Sequence, residues 1–437
     1  IRILSGDEAE QQFGRGSMLA AMCRALKANN ATTETWAFPL EDNPAGTAAT
    51  GSITVGGVAS AAGTLTLYVA GIRVQVAVAA GQTLAQIATA LAAALTAKTE
   101  LPVTAAVDGV DQTKVNVTAR HKGEAGNSLD LRINYLQGEA LPAGLTVTIV
   151  QPTGGTGNPD VTAVFTAIGD AQYHTIILPY TDAANLTVVE TELAERFGPL
   201  KQIEGHAYAA AAGTHAALGT LGDSRNSPHV SIMGASGSPT PPYEWAAAFG
   251  AVIAFHGQID PARPFQTLPL VGILPPAESA RFTREERDLL LHDGISTFTV
   301  DAGGQVRIER AITTYKTNAF GLPDPSYLDV NTLLTLAFLR FSVRTRIAQK
   351  FPRHKLAGDD AIIGPGQAIV TPSVLRLELI ALFQLWQEAG LVEDLEQFKR
   401  DLVVEIDATD PNRVNALIPP NCVNQFRVFT GLLQFRR

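Results

Sequence analysis

Apolar positions alternate with polar ones in two adjacent runs before residue 80. In "TLTLYVAGIRVQVAV", Leu65, Leu67 and Val69, then Ile72, Val74, Val76 and Val78, recur at period two on either side of Ala70-Gly71. Successive strand side chains point to opposite faces, so this spacing predicts two strands joined as a hairpin. The period then changes. "TLAQIATALAAAL" places Leu84, Ile87, Ala88, Leu91 and Leu95 on one face of a helix, and "KVNVTAR", "SLDLRINY" and "LTVTIV" predict three further strands. The flanking stretches "EDNPAGTAATG" and "QPTGGTGNPD" are loop-like and bracket residues 44–157 as a small α+β domain inserted into a larger one.

Before the insertion, Met18, Leu19, Met22 and Leu26 fall at helical spacing in "GSMLAAMCRALKANN", followed by the strand-like "TETWAFPL". Residues 1–43 therefore read as the first part of an α/β core. Its main part, 158–320, alternates strands ("YHTIILPY", "GHAYAAAA", "HVSIMGAS") with helices ("NLTVVETELAERFGP", then one from about Tyr243) and closes with a hairpin about Gly303-Gly304. Such alternation predicts a mostly parallel sheet covered on both faces. Two longer helices follow, Leu328 to Lys350 and Ser373 to Ala389 with Gly390 as a stop, then the strand-like "DLVVEID" and "RVNALIPP". These make a C-terminal α+β domain over 321–420.

The last segment, 421–437, reads "NCVNQFRVFTGLLQFRR". A terminus is normally frayed and polar. This one carries Phe426, Val428, Phe429, Leu432, Leu433 and Phe435, a strand-like run that would be apolar on both faces. The expected architecture is thus an α/β core, an inserted α+β domain, a C-terminal α+β domain and an extended terminal strand that needs cover from elsewhere.

Composition narrows the function. With 46% hydrophobic and 17% charged residues, the 437-residue chain has ample material for two or three packed domains. The formal charge of −9 comes with no Lys/Arg block interleaved with aromatics, which argues against a nucleic-acid partner. No uninterrupted apolar run reaches the roughly 18 to 20 residues of a membrane helix. Cys23 and Cys422 lie near opposite ends without CxxC or Cys/His spacing, and read as small buried hydrophobes. The opening "IRILSGDEAEQQFG" lacks the basic start and apolar centre of a signal peptide, and without a methionine it reads as a chain whose upstream part is missing.

Candidate chemistry is sparse. "AGTHAALGT" and "GSMLAA" resemble the histidine and serine motifs of subtilisin-type proteases, which would make His215 a base and Ser17 a nucleophile. That family carries its triad in the order Asp, His, Ser; here the serine comes first, and no acid motif precedes His215 at a suitable place. "MGASGSP" has Ser238 where a nucleophile elbow needs its second glycine, and "GGTGNPD" matches no phosphate loop. His206, His229, His256 and His292 lack the short spacings of metal ligands. "TREERD" reads as a capping box, Thr283 with Glu286, opening a helix. One basic segment, "RFSVRTRIAQKFPRHK", holds Arg340, Arg344, Arg346, Lys350, Arg353, His354 and Lys355; it is either the solvent face of a long helix or a docking surface. No catalytic, cofactor or metal site is assigned.

"IRILSGDEAEQQFGRGSMLAAMCRALKANN" with "ETWAFPL", together with the ending "DPNRVNALIPPNCVNQFRVFTGLLQFR", resembles the tail sheath proteins of Mu-like contractile phages and prophages. The resemblance covers essentially the whole chain and is most specific at its two ends. It implies a subtilisin-like fold without protease activity. It further implies stacked hexameric rings around a tail tube, terminal arms that add strands to neighbouring subunits, and contraction that drives the tube through the host envelope. Partners implied are further copies of the chain, the tube protein, and baseplate and terminator proteins, with no cofactor. The apolar ending would be the inter-subunit arm, "DLVVEID" and "RVNALIPP" receiving or neighbouring strands, and "IPPN" at 418–421 its hinge. Arg340, Arg344, Arg346, Lys350, Arg353 and Lys355 would be contacts to the tube or a neighbour. Residues 44–157 would lie on the outer surface. A hydrolase, or a binding module whose tail packs at home, are the alternatives.

Overall fold

The computed structural model describes residues 1–436. Two compact units emerge, residues 1–255 with 265–328, and residues 256–264 with 329 onward.

In the first unit, β1 (Arg2–Ile3) pairs antiparallel with β2 (Thr35–Trp36), and helices α1 (Gly6–Phe13) and α2 (Met18–Asn29) lie between them in sequence. The helix expected from Met18, Leu19, Met22 and Leu26 is α2, and α1 is an additional one before it. Gly14 and Gly16, at φ 84° and 77°, adopt the left-handed conformation that glycine tolerates and break the run. Ser17 then starts α2 by accepting a hydrogen bond from the Ala20 amide.

The segment 44–157 forms two antiparallel sheets around helix α3. Its elements are β3 (Ala48–Gly57), β4 (Gly63–Val69), β5 (Ile72–Val78), α3 (Leu84–Ala97), β6 (Val103–Val107), β7 (Lys114–Lys122), β8 (Leu131–Ile133) and β9 (Leu145–Thr153). The sheets are ordered β6-β7-β3-β9 and β5-β4-β8. The β4–β5 hairpin has the register read from its alternation, with Val69 opposite Ile72 and a two-residue turn. Ala70 and Gly71 both have positive φ, the geometry that matches the twist of paired strands. Thr83 and Gln86 close a capping box at the start of α3. The core of this segment, including Leu65, Val74, Ile87 and Leu91, is continuous with Met22 of α2 and with Tyr243 and Ala247. Two strands escaped the sequence pattern. β3 is rich in Gly and Thr, and β6 is short and bordered by Pro102.

Next come α4 (Thr162–Ile168), β10 (Thr175–Ile177), α5 (Ala183–Phe197), β11 (His206–Ala211), α6 (His215–Asp223), β12 (Val230–Gly234), α7 (Pro242–Ile259), α8 (Arg284–His292), β13 (Ile295–Val300) and β14 (Val306–Arg310). One five-stranded sheet joins the strands in order β10-β11-β12-β13-β14. The first four pair parallel and β14 pairs antiparallel with β13. Every residue of β11 and β12 is buried, which is why these strands read as continuous small and apolar runs. β10 is only three residues long and half-buried, where "YHTIILPY" predicts a longer buried strand, because it is the edge of the sheet.

The second unit contains α9 (Val330–Lys350), β15 (Lys355–Leu356), β16 (Ile369–Val370), α10 (Pro372–Glu388), β17 (Val392–Glu393), α11 (Leu395–Asp401), β18 (Val403–Ile406), β19 (Val414–Leu417) and β20 (Asn421–Cys422). Its core gathers Leu339, Leu379, Leu382, Phe383, Trp386 and Phe398. Phe383 and Phe398 stack with ring centroids 4.1 Å apart, and the Trp386 indole donates to Ser342 Oγ at 3.0 Å. Pairing ends at Cys422, and residues 423–436 have no strand or helix, since no further sheet edge of their own chain meets them.

Candidate assembly surfaces

The tail is anchored at its root and exposed beyond it. β20 pairs antiparallel with β17, Val392 opposite Cys422, and the Val423 amide donates to Leu391 O at 3.1 Å. Arg427 makes a second attachment, 2.9 Å from Asp329, which stands at the N-cap of α9. All six apolar side chains of the predicted arm face solvent, from 73% exposure at Phe426 to 99% at Leu433. Val428, Phe429, Leu432 and Phe435 are likewise at least 74% exposed. The "IPPN" segment runs into β20 at Asn421, so the unattached stretch begins only after Arg427, about six residues beyond it.

Upstream, β18 and β19 form a two-stranded antiparallel hairpin, Val403 opposite Leu417 and Ile406 opposite Val414. Asp407 sets its turn by accepting from the Thr409 hydroxyl and amide at 2.7 and 2.8 Å and from the Asp410 amide at 3.0 Å, and these bonds, the Thr409 hydroxyl first, hold its carboxyl below the usual carboxylate range. Among the described residues neither strand has a second partner, so both outer edges present unpaired backbone groups. Val403 and Leu417, opposite each other in the pairing, are 44% and 63% exposed.

The predicted cations do not form one positive face. Arg346 bonds Glu378 of α10, and Lys350 Nζ reaches the same carboxylate at 2.7 Å. Burial pushes the Glu378 carboxyl up, but these two partners outweigh it and hold the group below its ordinary value. At about 100° per residue, Arg340 and Arg344 lie roughly 120° around α9 from Arg346 and Lys350; both are half-buried. Arg353 and Lys355 are exposed past the helix end, with Lys355 Nζ 3.0 Å from Gln367 Oε1.

The protease-like residues have other work. Ser17 Oγ caps α2, while His215 Nε2 lies 3.0 Å from Glu286 O and its ring packs edge-on against Phe282. Ser17 lines an apolar cavity of about 590 Å³ beside β10, a cavity whose walls do not include His215. Ser238 accepts from the Trp245 indole and donates to Leu274 O. Burial raises the Cys23 thiol to about 11, against the pull of Lys27, which leaves it an inert core residue. His206, fully buried, shares a 2.8 Å hydrogen bond with Ser231 Oγ, and burial lowers its pKa to about 3. Among the described residues, no group of three His, Cys, Asp or Glu could hold a metal ion, and no helix is long and apolar enough to cross a membrane.

Residues 154–314 match the family described as "Phage tail sheath protein central domain", and residues 323–436 match "Phage tail sheath C-terminal domain". The chain is 46% identical over 435 residues to the Mu-like prophage FluMu tail sheath protein of Haemophilus influenzae, covering 100% of this chain and 88% of that one. Among solved structures it is similar to the sheath tail protein Lin1278 of Listeria innocua, with TM-score 0.50 and 13% identity over 97% of this chain and 88% of that one. A sheath tail protein of Desulfitobacterium hafniense matches with TM-score 0.42 and 16% identity, covering 87% of this chain and 82% of that one.

Proposed function

Because this chain belongs to the phage tail sheath family, a family of structural proteins rather than enzymes, we propose that it is the repeating subunit of a contractile sheath: hexameric rings stacked helically around a tail tube. The observation that carries this reading is the tail, apolar along its length, rooted by β20 and Arg427, and exposed from there on. A strand apolar on both faces needs a sheet edge for its backbone groups and cover on each side. The open edges of the β18–β19 hairpin on a neighbouring copy supply the first, and that neighbour's body the second.

Head-to-tail contacts along the axis generate an open tube, while closed rings fix its circumference. In contraction each subunit moves largely as a rigid body, and the arms beyond Arg427 keep their pairing while the linker absorbs the change in angle. The work comes from interfaces formed in the contracted state, so the extended sheath is metastable and no nucleotide is consumed. The baseplate supplies the trigger, and a terminator protein closes the distal end. Arg353 and Lys355, exposed past the helix end, are the cations offered to the tube or a neighbour; Arg340 and Arg344, half-buried and with partners of their own, join them only where those partners release them. Arg346 and Lys350 join them only where Glu378 releases them. Residues 44–157 are assigned to the outer surface, and the assembled sheath to the virion.

Negative-stain electron microscopy of the protein and of a version lacking residues 424–437 tests this reading. Hollow tubes of stacked rings from the first and only small particles from the second are expected. Tubes from both would remove the tail from the mechanism.

A further inference from the structure

The loop between β14 and α9 has an unusual division of labour. Its polar groups are spent on its own shape. Asn318 Oδ1 accepts from the Phe320 and Leu322 amides at 2.9 and 3.1 Å, and the Asn318 amide donates to Leu322 O at 2.9 Å. Thr317 and Pro323 form an antiparallel bridge, and Gly321, at φ 74°, turns the chain between them. The base is clamped from outside the loop. Asn226 donates to Thr317 O at 2.8 Å and accepts from the Lys316 and Thr317 amides, while Lys316 Nζ lies within 3.1 Å of Gly222 O, Asp223 Oδ1 and Asp293 O.

What this scaffold displays is apolar. Phe320 is 89% exposed and Leu322 61%, and the tip from Ala319 to Pro323 carries no charge. A mobile loop would lose conformational entropy on docking; this one is already ordered by its own bonds, so an aromatic at its tip can bind with little further cost.

We propose that residues 317–323 are a preformed apolar knob by which one subunit docks into an apolar hollow on the next copy of this chain, a contact separate from the exchanged tail. The inference rests on the sheath reading: in a wall built from one kind of chain, the surfaces within reach of a protruding feature are those of other copies. An uncharged knob fits an apolar hollow. A knob that meets a hollow elsewhere on an identical molecule gives a head-to-tail contact that repeats without closing, the kind an open helical wall requires.

The test is assembly of the full chain carrying F320D/L322D with its tail intact, followed by sedimentation and electron microscopy. Small particles in place of tubes, or a rise of roughly tenfold in the concentration at which tubes form, is expected. Tubes at the wild-type concentration would overturn the knob and leave the sheath reading standing. Failure of the unaltered chain, with its upstream segment restored, to form tubes would overturn the sheath reading and the knob with it. Should the double variant not fold, F320C supplies the second measurement. Maleimide labelling of that thiol, separated from Cys422 by peptide mass, should slow at least about tenfold on assembly; equal labelling of free and assembled protein would overturn the knob.

Discussion

Two aromatic-rich stretches of the second unit have opposite fates. α10 and α11 bring Phe383, Trp386 and Phe398 together in a core where Phe383 and Phe398 are wholly buried. Barely thirty residues on, Phe426, Phe429 and Phe435 stand in solvent. Their chemistry is the same, so residue type does not decide the outcome. The periodicity does. In α10 the buried apolar residues Leu375, Leu379, Leu382, Phe383 and Trp386 recur every three or four positions, so one surface of the subunit covers them, whereas in the tail they fall on both sides of an extended chain that no single surface of its own subunit could cover. The first stretch stabilises one subunit; the second stabilises contacts between subunits.

The sharpest way to break that comparison is to remove the tail. Deleting residues 424–437 should abolish tube formation in electron micrographs while shifting the melting temperature of the dispersed subunit by no more than ~2–3 °C, since little of the removed surface is buried. A collapse in melting temperature would mean that the tail covers its own subunit in solution.

Single truncations on the two sides should then differ in kind. Phe383→Ala removes half of a stacked pair and leaves a cavity, with an expected loss of about 3–5 kcal/mol in urea unfolding. Phe429→Ala should stay within about 0.5 kcal/mol by the same measurement and show its effect only in assembly. Equal unfolding losses would erase the distinction.

The five-stranded sheet offers a third contrast, a buried group that answers to pH. His206 is held neutral beside Ser231, its pKa lowered to about 3 first by burial and then by repulsion from His229. A depressed folded-state value means that its contribution is fully present above the ordinary value of 6.5 and is lost as pH falls from there toward 3. Unfolding free energy should decline by up to about 1 kcal/mol per pH unit below roughly pH 6. His206→Asn should flatten that decline, and parallel curves for the two proteins would exonerate the histidine.

Legibility in the sequence followed the same divide between local and borrowed order. The hairpin about Ala70-Gly71, the capping box at Thr283, and the stop at Gly390 are set by residues within a few positions of one another, and each was readable. β3 was not, because its Gly and Thr residues are ordered by β7 and β9 far away in sequence. The edge strand β10 and the pairs β1–β2 and β8–β4 are shorter than their apolar runs because pairing partners end them. The apolar tail was legible as an anomaly, but its root was not: neither the pairing of β20 with β17 nor the bond from Arg427 to Asp329 leaves a periodic trace. The separation of Arg346 and Lys350 from Arg340 and Arg344 follows from helical geometry, whereas their shared partner Glu378 comes from another helix.

That root carries the smallest and most local expectation. Arg427 and Asp329 are each about four-fifths shielded from solvent and lie 2.9 Å apart, and the carboxylate also sits where the α9 dipole favours a negative charge. Arg427→Ala should release the chain at that point, so limited proteolysis between Val423 and Thr430 should accelerate several-fold while urea unfolding changes by about 0.5–1 kcal/mol or less. The exchange R427D/D329R should restore only part of the protection, because it remakes the ion pair but places a cation at the N-terminus of α9. If proteolysis of Arg427→Ala proceeds at the wild-type rate, the β17–β20 pairing alone fixes where the arm departs, and the free segment begins at Asn424 rather than Val428.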